Sequence, residues 1–150
     1  MKKILLAVDG SESSKKAAVE TANLSKSLNS VVTIITVLDK STVELSEIQS
    51  YRPEDSLEEL IEKNERELEH KGKQILKEAE EFFKKEDIDV KKVIEYGNDP
   101  AENICNYAEK YGFDIIVLAD KGLSGVKRFF LGSISDKVVR HANRSVLVIK

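Results

Sequence analysis

Five short apolar runs, none longer than nine residues, alternate along the 150-residue chain with four segments of helical period. This alternation is the strongest constraint on the fold. Short apolar runs bounded by turn residues suit strands buried on both faces. Helical segments between such strands make the strands parallel, with right-handed crossovers and helices on both sides. "KILLAV" (Lys3 to Val8) is the first run, and "DGSES" ends it. Ala17, Thr21, Leu24 and Leu28, with Ala18 alongside, then mark one face of a helix opened by Ser11 as N-cap. "SVVTIITVL" (Ser30 to Leu38) is a β-branched second strand.

Ser56 and Glu59 have the spacing of a capping box before a long charged helix. Its predicted apolar stripe is Leu68, Ile75, Ala79 and Phe82, and Gly72 marks a close contact or a bend. Val90 to Glu95 is a weaker third strand. Asp99 at N-cap, Pro100 at N1 and Glu102 at N3 start the third helix. Ile104, Ala108 and Tyr111 continue it, and Gly112 ends it. Asp114 to Ala119 is the most apolar strand. "SISDKVVRHA" is a short helix with Ile134, Val138 and His141 on one stripe, and "RSVLVIK" closes the chain as a fifth strand. Residues 39–55 have no clean period and fit a lid, a partner surface or a disordered loop.

The expected fold class is α/β: one doubly wound, Rossmann-like, five-stranded parallel sheet in the order 3-2-1-4-5. Ligands in such sheets bind beyond the carboxyl ends of the strands, where the winding reverses. That point lies between the first and fourth strands. A chain of this length reads as a single domain, residues 1–150. It can bury roughly 68–70% of its unfolded surface, so it needs neither disulfide nor metal to fold. The net charge is −3 with both signs interspersed, which argues against a nucleic-acid partner. The one cysteine, Cys105, excludes an internal disulfide and suits a reducing cytoplasm. The apolar run near the start is shorter than the about 7–15 residues of a secretory signal, and no run approaches a membrane span.

Two loops meet at the predicted switch point: "VDGSES" and "LADKGLSGVKRFFLGSIS". The second follows a strand and precedes a helix, whose unpaired N–H groups and dipole favour an anion. Gly122 and Gly125 let the backbone adopt positive φ and approach a ligand closely. Gly132 and Ser133 place N–H groups and a hydroxyl where a phosphate can bind, and Lys121, Lys127 and Arg128 add positive charge. The bland alternative is a long turn with a capping serine. The stretch is neither a Walker A loop nor G-x-G-x-x-G. Asp9 ends the first strand and suits ribose hydroxyls; its alternative role is to cap the first helix or brace the "DGS" turn. Together the two loops suggest a nucleotide, with a sugar at one side and a polyanion at the other.

"ILLAVDGSES", "TVLD", "GNDPAENI" and "GLSGVKRFFLGSISDKVVRHANRSVLVIK" resemble the universal stress protein family over essentially the whole chain. The resemblance implies the adenine nucleotide alpha hydrolase-like version of the fold. The ATP-binding branch carries G-x-x-G, nine residues, then G-[ST]. Gly122, Gly132 and Ser133 match that motif, whereas Ala119 stands at its first glycine. An alanine there is strained if the backbone needs positive φ and harmless if it does not.

By resemblance, Asp9 binds ribose, Val37 offers backbone groups to adenine, and Ala7 and Val8 line the base. Gly122, Gly132, Ser133 and Ser135 hold the phosphates, with Lys121 in reach; Leu118, Ala119 and Ile134 complete the set. The implied cofactor is ATP (or AMP or ADP), with Mg²⁺ or Mn²⁺ held mainly by the phosphates. The implied assembly is a homodimer through Ser145 to Lys150, since an apolar final strand otherwise leaves an open edge. The expected function is a cytoplasmic, nucleotide-dependent regulatory module. Its rivals are a nucleotide-free dimeric interaction protein, with Ala119 as the sign of lost binding, and a weak ATPase.

Other signals point away from catalysis. No nucleophile and general-base pair stands out. His70 and His141 do not form a metal pair, and Cys105 reads as a packed thiol. The serines after Asp9 lack G-x-S-x-G. A phosphoacceptor receiver domain would need more acids near Asp9 and a lysine beyond the fifth strand.

Overall fold

The structure, a computed structural model, describes residues 1–41, 56–122 and 131–150. The elements are β1 (Lys3–Ala7), α1 (Glu12–Leu28), β2 (Val31–Leu38), α2 (Leu57–Lys84), β3 (Val90–Tyr96), α3 (Pro100–Lys110), β4 (Ile115–Ala119), α4 (Ser133–His141) and β5 (Ser145–Ile149). All four strand pairings are parallel, and the sheet order is β3-β2-β1-β4-β5. Each strand lies within one residue of its predicted bounds. Residues 39–55 give little to compare, because 42–55 lie outside the described residues.

Alternation along the strands builds two cores. Ile4, Leu6, Val32, Ile34 and Val117 face α1 and α2, where Ala17, Ala18, Leu76, Ala79 and Phe83 meet them. Leu5, Ile35, Ile116 and Leu118 face the other way, toward Ala101, Ile104 and Ala108 of α3 and Val138 of α4. Ile4, Leu5 and Leu6 are all fully buried, which is why "ILL" reads as a continuous run.

The helix starts form as their sequences dictate. Ser11 accepts from the Ser14 N–H, Ser56 from the Glu59 N–H, and Asp99 from the Glu102 N–H. Gly112 sits at φ +66° just past α3, where only glycine is unstrained.

Two helix faces differ from their predicted stripes. In α1 the buried residues are Ser14, Ala17, Ala18, Thr21, Ala22 and Ser25, while Leu28 is exposed. Small residues let α1 lie close to the sheet, and Thr21 tolerates burial by donating its hydroxyl to the Ala17 carbonyl. In α2 the buried residues are Gly72, Leu76, Ala79 and Phe83, with Ile75 and Phe82 only flanking the core. The stripe is thus turned by one position at two of its members. Gly72 is a close contact: a Cβ there would stand 2.7 Å from Leu38 Cδ1 and 3.0 Å from Ile94 Cδ1. In α4, Val138 is fully buried but Ile134 is one-third exposed and His141 is exposed.

Candidate functional site

β1 leads into α1 on one face of the sheet, and β4 leads toward α4 on the other. The chain therefore diverges beyond their carboxyl ends and leaves a crevice at the switch point. A cavity of about 330 Å³ occupies it. All twelve residues assigned from the sequence line this cavity: Ala7, Val8, Asp9, Val37, Leu118, Ala119, Lys121, Gly122, Gly132, Ser133, Ile134 and Ser135. Ser14, Ile35, Pro100 and Ile104 line it too and escaped the sequence reading. Two of the four had a signal. Ile35 lies two residues before Val37 on one strand side, and Ile104 lies one helical turn beyond Pro100.

One end of the cavity is backbone and aliphatic. β1 stops at Ala7, opposite Ile35, so β2 runs on beside β3 alone. Val31 donates its N–H to the Lys2 carbonyl and Ile35 accepts from the Val8 N–H, so odd-numbered residues of β2 point toward β1. Leu38 instead accepts from the Gly97 N–H on the β3 side. The alternation carries the N–H and C=O of Val37 into the space beyond β1. A flat heterocycle can pair with such a donor and acceptor while Ile35, Ala7 and Val8 cover its faces.

Asp9 stands in the middle. One carboxylate oxygen, Oδ1, accepts from the Ser11 N–H at 2.9 Å. The bracing role weighed for Asp9 is therefore real, and it fixes the side chain at the cavity wall. Gly10 makes the turn at φ +86°. Gly122 is not at positive φ, contrary to one reason given for it. Its role is space: a Cβ there would stand 2.8 Å from Asp9 Oδ2. Gly125, Lys127 and Arg128 lie outside the described residues.

The other end is the start of α4. Gly132 is its N-cap, and no side chain caps the helix. The N–H groups of Ser133, Ile134 and Ser135 are the first three of the helix and have no carbonyl one turn earlier to bond. They leave a concentrated positive end against the cavity. The Ser135 side chain is turned elsewhere: buried, its Oγ donates to the carbonyls of Ala119 and Asp120, each at 3.0 Å. It clamps the helix to the end of β4. Gly132 completes the joint by donating its N–H to the Asp120 carbonyl. A Cβ on Gly132 would stand 3.0 Å from that carbonyl oxygen. Asp136, in the first turn, is paired with Arg140.

Ala119 belongs to β4 and is not among the residues at positive φ. An alanine is therefore unstrained there, and its methyl is buried in the first core. The strain considered from the sequence does not arise.

Asp99 joins the outer walls. It caps α3, whose Pro100 and Ile104 line the cavity, and it pairs with Lys137 of α4. The Lys137 ammonium and the Glu102 N–H hold the Asp99 carboxyl below the usual carboxylate range. Behind this wall, burial pushes the Cys105 thiol up, as expected for a packed rather than reactive cysteine. Among the described residues, no group of three or more His, Cys, Asp or Glu could hold a metal ion. Among them also, no helix is long and apolar enough to cross a membrane.

Fold and crevice together define a doubly wound α/β protein with a ligand-sized cleft at its switch point. The chain matches the Universal stress protein family over residues 1–150. It is 31% identical to universal stress protein YxiE of Bacillus subtilis, across 99% of this chain and 98% of that one. It belongs to the universal stress protein family. Among solved structures, that of MJ0577 has a TM-score of 0.79 at 28% identity, covering 99% of this chain and 95% of that one. A family protein from Arabidopsis thaliana with AMP bound has a TM-score of 0.68 at 20% identity, covering 100% and 92%. Other family structures of the same fold hold cAMP and dAMP.

Proposed function

We propose that this protein binds an adenine nucleotide in the switch-point crevice and acts as a nucleotide-dependent regulatory module. The observation that carries this reading is the cavity's order of chemistry. The backbone of β2 beyond the end of β1 lies at one end, the Asp9 carboxylate in the middle, and the start of α4, which no side chain caps, at the other end. That sequence matches base, ribose and phosphate in turn. Structural relatives that bind AMP, cAMP and dAMP support the ligand class. ATP is the full ligand in this reading. Mg²⁺ or Mn²⁺ would enter with it, held mainly by phosphate oxygens. The proposal extends to a cytoplasmic location and, at most, slow hydrolysis.

A homodimer through Ser145 to Lys150 is part of the same proposal. Among the described residues β5 bonds only β4, and Leu147 on it is 38% exposed. Pairing with a second copy would remove that edge. Light scattering should give twice the monomer mass, and a Leu147→Lys variant should run as a monomer.

The binding test is calorimetric. The parent should bind ATP saturably, with and without Mg²⁺, and an Asp9→Ala, Gly132→Val double variant should not. No saturable binding by the parent at millimolar ATP would leave the nucleotide-free dimer as the better reading. A steady-state hydrolysis rate well above background, lost in the double variant, would make it an ATPase.

A further inference from the structure

We propose that the crevice selects nucleotides by the number of their phosphates, favouring the triphosphate over mono- and cyclic phosphates, with Lys121 as the specificity-determining residue. This rests on the adenine-nucleotide reading of the same cavity.

Lys121 is half-buried in the cavity wall. Its backbone abuts the N-cap of α4: a Cβ on Gly132 would stand 3.4 Å from the Lys121 Cα. The ammonium on its four-carbon stem therefore originates at the helix end where three N–H groups are already directed. Lys121 enters none of the ion pairs among the described residues. Lys137, the nearby cation of α4, is occupied by Asp99. Asp9 is the one acid among the described lining residues, and its Oδ1 is engaged by the Ser11 N–H.

The cavity is thus polarised, negative near Asp9 and positive near Lys121 and α4. The helix end supplies roughly half an elementary charge, and a lysine adds a full one. A cyclic monophosphate has a single negative charge and a monophosphate roughly two at neutral pH. The helix end alone serves those ligands. A cation beside it is matched by the charge that further phosphoryl groups add. A charge-assisted contact of this kind is worth about tenfold in affinity.

The experiment measures dissociation constants for ATP, ADP, AMP and cAMP by calorimetry, at fixed ionic strength, for the parent, Lys121→Gln and Lys121→Arg. Thermal melts of the three proteins check folding. The parent should bind ATP at least about tenfold more tightly than AMP or cAMP. Lys121→Gln should melt like the parent and reduce that ratio to below about threefold, and Lys121→Arg should restore it. An ATP-to-AMP ratio near one in the parent, or one unchanged in Lys121→Gln, overturns the inference and leaves the nucleotide reading standing. Failure of all four nucleotides to bind the parent overturns both.

Discussion

Replacing Ala119 by the glycine of the family motif should weaken the protein and improve its site little. Ala119 is a strand residue, 8% exposed, whose methyl packs in the core shared with α1 and α2. Glycine in a strand interior costs about 0.5–1 kcal/mol in backbone entropy. Loss of one buried methyl adds about 0.8 kcal/mol. The sum is about 1.5 kcal/mol. For a chain of this length that lowers the melting temperature by roughly 3–6 °C. With a urea m-value of about 2 kcal/mol/M, the midpoint should fall by about 0.7 M at unchanged m. No strain is released in return, because the backbone is not at positive φ. ATP affinity should therefore stay within about threefold of the parent, on the ordinary scale of small side-chain changes. Urea unfolding and calorimetric titration of parent and Ala119→Gly measure both halves. A variant as stable as the parent that also binds ATP more than tenfold tighter would refute the reasoning. It would mean that the methyl intrudes on the ligand rather than filling the core.

Ser135→Ala should cost about 1 kcal/mol in urea unfolding, toward the low end for a buried hydrogen bond, because the Asp120 carbonyl keeps the Gly132 N–H. No loss of stability would show that the hydroxyl does not clamp α4 to β4. Gly122→Ala should leave stability within about 1 kcal/mol of the parent yet weaken ATP about tenfold, since the new Cβ displaces the Asp9 carboxylate; unchanged affinity would remove Asp9 from the site. Acid should destabilise the fold with a definite sign. The Lys3 N–H lowers the Asp114 pKa, Lys137 lowers that of Asp99, and Lys92 and Lys84 lower that of Glu80. A carboxylate with a depressed folded pKa stabilises fully above its unfolded pKa of about 4, and that stabilisation is lost as the pH falls through the folded value. The urea midpoint should hold from pH 7 to 5, fall below pH 4, and fall less steeply in Asp114→Asn. An identical acid profile in that variant would exclude Asp114 as a contributor.

The sequence by itself determined the element order and the helix caps, because those follow from local period and short-range bonds; the sheet order came with the α/β fold class that the alternation implies. Ser11, Ser56 and Asp99 each cap the helix beginning one residue later. Even the cavity lining was largely legible, since the sheet order brings the ends of β1, β2 and β4 together. Burial on helices was less legible. Leu28 is more apolar than Ala22, yet Ala22 is inside, because the separation of α1 from the sheet selects small residues. Only the tertiary structure decided what individual groups do in the crevice. Gly122 looked like a backbone requirement and is a space requirement, set by a carboxylate 113 residues away in sequence. Ser135 looked like a phosphate ligand, but its hydroxyl is held by the carbonyls of Ala119, the last residue of β4, and Asp120 just beyond it. Ala119 looked like a defect in a motif and is an ordinary strand residue. For Gly122 and Ser135 the deciding contact joins segments distant in sequence, and for Ala119 it is the backbone conformation that its place in the sheet imposes; a one-dimensional pattern carries spacing but neither of these.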